Sequence, residues 1–110
     1  MNANNFLIDE QQTQEANVLH ISGDLDLSVA PQFRLALEKV VNQTDRSLIL
    51  DLKDLKYIDS TGIGIIISVL KIRDELKAPF IVREIPLSIK RLFDLTGISG
   101  FLNDGIENKS

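Results

Sequence analysis

Four consecutive residues, Asp59-Ser60-Thr61-Gly62, hold the densest chemistry in this 110-residue chain. Each of the first three carries a hydroxyl or carboxylate that can cap a helix. Gly62 has no Cβ, so a second backbone or surface can approach closely there. The stretch precedes a long apolar segment, Ile63 to Leu76, with helical spacing. The free amide N–H groups at a helix start favour negative charge nearby. The pattern therefore presents a polar hydroxyl at the positive end of a buried helix.

Known catalytic uses of such a serine do not fit. Gly-x-Ser-x-Gly is absent, and the one histidine, His20, lies far upstream with no cluster around it in the sequence. Gly62-x-Gly64 lacks the third glycine of a dinucleotide fingerprint, since Ile67 stands in its place. No Gly-Lys-Ser/Thr phosphate loop occurs. There is no cysteine, which excludes disulfides and thiolate metal sites, and one histidine argues against an imidazole site. The expectation is a protein that is not an enzyme and that carries no cofactor and no metal.

Bulk composition narrows the class further. The formal net charge is −4, which disfavours nucleic-acid binding, because phosphate neutralisation needs clustered Lys and Arg. The apolar run Ile65–Ile67, extended through Val69-Leu70, is too short to cross a bilayer. Met1-Asn2-Ala3-Asn4-Asn5 lacks the basic and apolar regions of a signal peptide, so a cytoplasmic location is the default and no membrane partner is expected. With 44% hydrophobic and 25% charged residues, a 12.3 kDa chain forms one domain with a real core. That domain is expected over 1–110, with its ordered core over about 5–105.

The elements that must position the serine follow from periodicity. Phe6 to Asp9 reads as a short strand and Gln11 to Asn17 as a polar turn. Leu19, Ile21, Leu25 and Leu27 alternate with His20, Ser22, Asp24 and Asp26, the period of a half-buried strand running into an extended loop. Ser28 reads as a helix cap with Pro31 in the first turn, and Phe33, Leu37, Val40 and Val41 face the sheet. Leu48 to Leu52 reads as a strand, and its consecutive apolar residues predict cover on both faces.

After Ser60 two apolar stripes run down the helix: Ile63, Ile66, Ile67 and Leu70; and Ile65, Val69, Ile72 and Leu76. Gly64, Ser68, Lys71 and Glu75 form a polar stripe between them. One apolar stripe must pack on the sheet; the other either meets a neighbouring helix or stays partly exposed. Ala78-Pro79 ends the helix and Phe80-Ile81-Val82 forms a further strand. Pro86 opens a third helix, with Ile89, Leu92 and Phe93 inward, Lys90 and Arg91 in water, and Gly97 as a left-handed cap. Ile98 to Leu102 can form a last short element, and the tail from Asn103 is expected to fray. This order predicts an α/β fold with a mixed, mostly parallel sheet and helices mainly on one side.

Leu50-Asp51-Leu52 followed by Tyr57-Ile58-Asp59-Ser60-Thr61-Gly62-Ile63-Gly64 resembles the signature of STAS domains, above all the free-standing bacterial anti-sigma factor antagonists. Gly23-Asp24-Leu25-Asp26, with Ala30-Pro31 after it, is similar to the family's Gly-Glu-Leu-Asp segment. Leu92-Phe93-Asp94-Leu95-Thr96-Gly97-Ile98 is similar to the end of its third helix. The resemblance implies a small STAS-type fold and a binding switch. In that family the unphosphorylated antagonist binds an anti-sigma factor that is also a serine kinase, which frees a sigma factor. Phosphorylation of the motif serine, here Ser60, ends binding, and a serine phosphatase reverses it. The acidic residue that the family places near that serine corresponds to Asp26. Pro86-Leu87-Ser88 departs from the usual Asn-Pro-Ser opening of the third helix, and a full fourth helix after Gly105 is not expected.

Simpler roles compete with these. Capping is the commonest use of a serine before an apolar helix, and Asp59 and Thr61 can cap as well. Position favours the switch, because Ser60 falls at the C-terminal end of a parallel strand, where α/β sheets bind ligands and partners. Asp59 beside a phosphorylated Ser60 would sensitise the switch by like-charge repulsion. Gly62 and Gly64 cost the helix about 1 kcal/mol each relative to alanine, which fits either a close partner or sheet packing. Ile65 and Ile72 read first as core. The expected partner surface is Ser60 with Asp26, Asp59, Thr61, Gly62, Gly64, Ile65, Ser68 and Ile72. The rival binding reading is a scaffold STAS module without phosphorylation, in a lipid-transport or stress-sensing assembly.

Overall fold

The computed structural model describes residues 5–98 and 100. Strand β1 (Leu7–Gln12) turns back into β2 (Ala16–Leu25). The turn is tied by Thr13, whose Oγ1 accepts from the N–H groups of Glu15 (3.1 Å) and Ala16 (3.0 Å). A 3₁₀ turn (Leu27–Val29) leads into α1 (Ala30–Glu38). Strand β3 (Ser47–Ile58), helix α2 (Ser60–Glu75), strand β4 (Phe80–Arg83) and helix α3 (Leu87–Thr96) complete the order.

The strands form one sheet in the order β1-β2-β3-β4. The pair β1/β2 is antiparallel, while β2/β3 and β3/β4 are parallel. Two successive crossovers in the same direction put α1 and α2 on one face. Ile89 and Phe93 of α3 join the same core as Leu19, Ile21, Leu48, Leu50, Leu52, Phe80 and Val82, so all three helices cover that face. Phe6 closes the core's edge by meeting Phe33 edge-on, with ring centroids 6.3 Å apart. The mixed sheet with one-sided helices agrees with the sequence-based expectation.

Several boundaries differ. β1 runs on to Gln12, past the expected Asp9, because its pairing with β2 holds polar residues in a ladder that periodicity undervalues. β3 extends to Ile58, well beyond Leu52, and pairs as far as Leu25↔Ile58. Its second half crosses a bulge, where the Asp51 carboxylate accepts from the Lys53 N–H at 3.0 Å. The expected cover on both faces of β3 is not found. Leu48 and Leu50 are buried under the helices, but among the described residues no helix packs over Ile49. Ser28 does not cap a helix as expected. Asp26 caps the 3₁₀ turn, its Oδ1 accepting from the Ser28 N–H (3.0 Å) and the Ser28 hydroxyl (2.6 Å). The third helix matches expectation, with Pro86 before it and Gly97 at φ 83° after it. The expected element after Ile98, the fraying tail and the question of a fourth helix lie outside the described residues.

One anchoring residue has no precursor in the sequence reading. Arg73, in the last turn of α2, is fully buried. Its Nη1 donates to the carbonyls of Val41 (3.0 Å) and Gln43 (3.2 Å). Its Nη2 donates to those of Arg46 (2.7 Å) and Pro79 (2.8 Å), and its Nε to Pro79 again (3.3 Å). Burial lowers the pKa of the guanidinium below its ordinary value through desolvation. The carbonyls offset that cost, together with the negative ends of α1 and α2, where the cation sits. Arg73 thus joins the α1–β3 and α2–β4 connections at the end of the sheet where β3 and β4 begin, opposite Ser60.

Candidate functional site

At the other end of α2, the site begins with Asp59. Its Oδ1 accepts from the Gly62 N–H at 3.1 Å, which makes Asp59 the N-cap of α2. Its Oδ2 accepts from the Leu27 N–H at 3.2 Å, which ties the β2–α1 connection to the helix start. The Asp59 N–H in turn donates to the Leu25 carbonyl at 3.2 Å. Asp59 is therefore a cap and a brace, and the capping role that competed for Ser60 is filled by its neighbour.

Ser60 is the first residue of α2 and is exposed. Gly62 N–H is held by the Asp59 side chain and Ile63 N–H by the Asp59 carbonyl, at 3.0 Å. The amides of Ser60 and Thr61 have no partner among the described residues. The hydroxyl thus stands beside two unsatisfied donors at the positive end of a helix, a setting that tolerates an added anion. Thr61 is half-buried beside it.

The two glycines have opposite surroundings. A Cβ on Gly62 would lie 2.8 Å from both Ile58 Cγ1 and Leu25 Cγ. The close approach that this glycine permits is therefore to the protein's own core. A Cβ on Gly64 meets nothing within 4 Å. Gly62→Ala is expected to lower stability by about 1 to 2 kcal/mol, since overpacking outweighs the gain in helix propensity. Gly64→Gln is expected to raise it by up to about 1 kcal/mol. Urea melts of the two variants would check both signs; a stabilised Gly62→Ala would show that Leu25 and Ile58 yield freely.

The rest of the expected surface divides in the same way. Ile65 is 2% exposed and lies in the core beside Leu37 of α1 and Val41 just after that helix, so with Gly62 it belongs to the interior and is withdrawn from the contact surface. The second apolar stripe of α2 divides: Ile65 and Val69 are buried on the side of α1, while Ile72 and Leu76 are exposed, so each of the two alternatives left by periodicity holds for half of it. Ile72, at 39% exposure, lies on the rim of that packing. Ser68 is exposed, with its hydroxyl donating to the Gly64 carbonyl at 3.1 Å. Asp26 is brought to the tip through Leu27, whose amide Asp59 holds, but its Oδ1 is committed to the 3₁₀ turn. The structure assembles Ser60, Thr61, Gly64, Ser68 and Ile72 along one outward course of α2, with Asp26 and Asp59 bracing its start.

Sequence reading missed two features, one beside this site and one farther back on the sheet. Leu27 is 70% exposed beside Asp59 and extends the tip with apolar surface. His20, expected to stand alone, has its Nδ1 3.4 Å from Asp51 Oδ2, an oxygen also met by Arg83 Nε at 3.2 Å. Only strand register brings these residues together. Among the described residues no group of three or more His, Cys, Asp or Glu side chains could hold a metal ion, and no helix is long and apolar enough to cross a membrane.

A profile of the STAS domain matches residues 8–109. The chain belongs to the STAS domain family. The anti-sigma-B factor antagonist of Bacillus subtilis is 28% identical over 99 residues, spanning 90% of each chain. Among solved structures, the anti-sigma factor antagonist SpoIIAA in its unphosphorylated form superposes with a TM-score of 0.73 at 20% identity, covering 94% of this chain and 90% of that one. SpoIIAA of Bacillus in the phosphorylated form gives 0.69 at 20% identity, covering 94% of each chain. These likenesses fix the STAS fold.

Proposed function

We propose that this STAS protein is an anti-sigma factor antagonist whose binding is switched by phosphorylation of Ser60. Its partner is an anti-sigma factor with serine kinase activity, and a serine phosphatase resets it; the protein is a substrate of both and not itself an enzyme. It acts in the cytoplasm. The observation that carries the reading is the division of labour at the start of α2. Asp59 performs the capping, so Ser60 is exposed and uncommitted at the helix N-terminus. The name of the Bacillus subtilis relative supports the partner class. A scaffold without phosphorylation would have no need of a hydroxyl held in this state.

The partner surface is Ser60, Thr61, Gly64, Ser68 and Ile72, and Gly64→Gln should weaken docking while the fold persists. The direct test is incubation with ATP and the cognate kinase, followed by phosphopeptide mass spectrometry. Phosphate is expected on Ser60 alone, and Ser60→Ala should take up none. Phosphate on Thr61 or Ser68, or none on the wild-type chain, would reject the assignment.

A further inference from the structure

The face of the sheet on which no helix packs among the described residues has a charge pattern of its own. Register aligns Asp9, His20, Asp51 and Arg83 in a single row across β1, β2, β3 and β4. The contacts His20–Asp51 (3.4 Å) and Asp51–Arg83 (3.2 Å) confirm that these side chains share that face. The next row is Gln11, Val18, Ile49 and Ile81. Ile49 and Ile81 remain half-buried although no helix among the described residues covers them.

We propose that this face binds a second copy of the chain, with the two-fold axis running along the strands. Such an axis keeps each row in place and reverses the strand order. Asp9 then meets the partner's Arg83, and His20 meets the partner's Asp51, each contact occurring twice as an isologous interface requires. In the adjacent row Ile49 faces the partner's Val18, which is only 7% exposed, and Ile81 faces the partner's Gln11, so charge rather than apolar burial carries the pairing. The row is acidic at one end and basic at the other, so its reversal is its own complement. Near-parallel strands also suit aligned sheet-on-sheet packing.

The size of the face sets the strength. Strands of 6, 10, 12 and 4 residues, about 4.8 Å apart, give a plane of roughly 500 Å². That is below the roughly 800 Å² per partner of a standard interface, so the dimer is weak and forms at high protein concentration. Because the axis follows the strands, both Ser60 tips point the same way and stay uncovered. The pairing is independent of the phosphorylation reading.

Sedimentation equilibrium from low micromolar to submillimolar protein tests it. The wild-type mass is expected to rise toward twice the monomer, and added salt should weaken the rise. Asp9→Arg alone and Arg83→Asp alone should each stay monomeric, since like charges then face each other. An equimolar mixture of the two should recover the rise, because each heterologous contact again joins Arg to Asp. Circular dichroism verifies each fold; should Arg83→Asp fail to fold, Arg83→Gln replaces it and must lose association on its own. A wild-type chain that is monomeric throughout, an Asp9→Arg chain that associates like wild type, or a mixture of folded variants that stays monomeric would each overturn the proposal.

Discussion

A phosphate on Ser60 is expected to cut affinity for the anti-sigma partner by about a thousandfold, or about 4 kcal/mol, with the fold left intact. Phosphorylation adds roughly −1.5 to −2 charges at neutral pH. Within the free protein that charge is tolerated, because the Ser60 and Thr61 amides and the helix dipole contribute roughly 0.3 to 1 kcal/mol toward it. Asp59 opposes it, but both carboxylate oxygens are engaged by backbone N–H groups, which holds that negative charge in place. In the complex the phosphate must lose its water at the point of contact, next to Asp59. The asymmetry between these two environments is what the proposed switch would use. Ser60→Ala should bind persistently, and Ser60→Asp or the phosphoprotein should bind poorly at an almost unchanged melting temperature. Isothermal calorimetry with the cognate kinase, run beside thermal melts, decides the matter. Equal affinities for the two forms would favour the scaffold reading.

Arg73→Ala should have the largest effect on stability, a loss of about 4 kcal/mol or more. Truncation leaves the carbonyls of Val41 and Arg46 without a donor, and takes one of two donors from that of Gln43, which keeps the Arg46 N–H, and that of Pro79, which keeps the Leu48 N–H. Each buried acceptor so abandoned costs about 1 to 3 kcal/mol, less where water can enter. Against a total stability of about 5 to 15 kcal/mol, such a loss brings the chain close to unfolding. Arg73→Lys keeps the charge but not the planar fork of donors, so it should recover only part of the loss. Guanidinium melts followed by circular dichroism would measure both. A cost below about 1 kcal/mol for Arg73→Ala would mean that solvent takes over the carbonyls at once.

The contrast between Ser60 and Arg73 shows what the sequence could disclose. The α/β order, α2 and the serine at its start were legible because hydrophobic period and capping chemistry are local. Local chemistry did not decide which of Asp59, Ser60 and Thr61 caps. That choice depends on Leu27, 32 residues away, whose amide holds Asp59 in the capping position. Arg73 was invisible for the same reason, since a lone arginine among lysines and acids on a helix reads as solvated. Its partners are carbonyls, which no side-chain pattern encodes. The second half of β3 was obscured by Lys53, Asp54, Lys56 and Tyr57, which are exposed and break the apolar run, although pairing with β2 continues. Gly62 and Gly64 are alike in sequence; only the nearness of Leu25 and Ile58 separates a packing glycine from an open one.

Helix α2 spans 16 residues, about 24 Å, with the serine at one end and the arginine at the other. That separation has a consequence for divergence. If the proposed docking at Ser60 holds, a duplicated gene could change the residues around it, and so its choice of partner, without disturbing the carbonyl cluster on which folding depends. Changes beyond 7–10 Å that share no contacts add nearly independently. Cells with several such switches could therefore insulate them from one another by drifting at the tip alone, and specificity would not have to be traded against heat resistance.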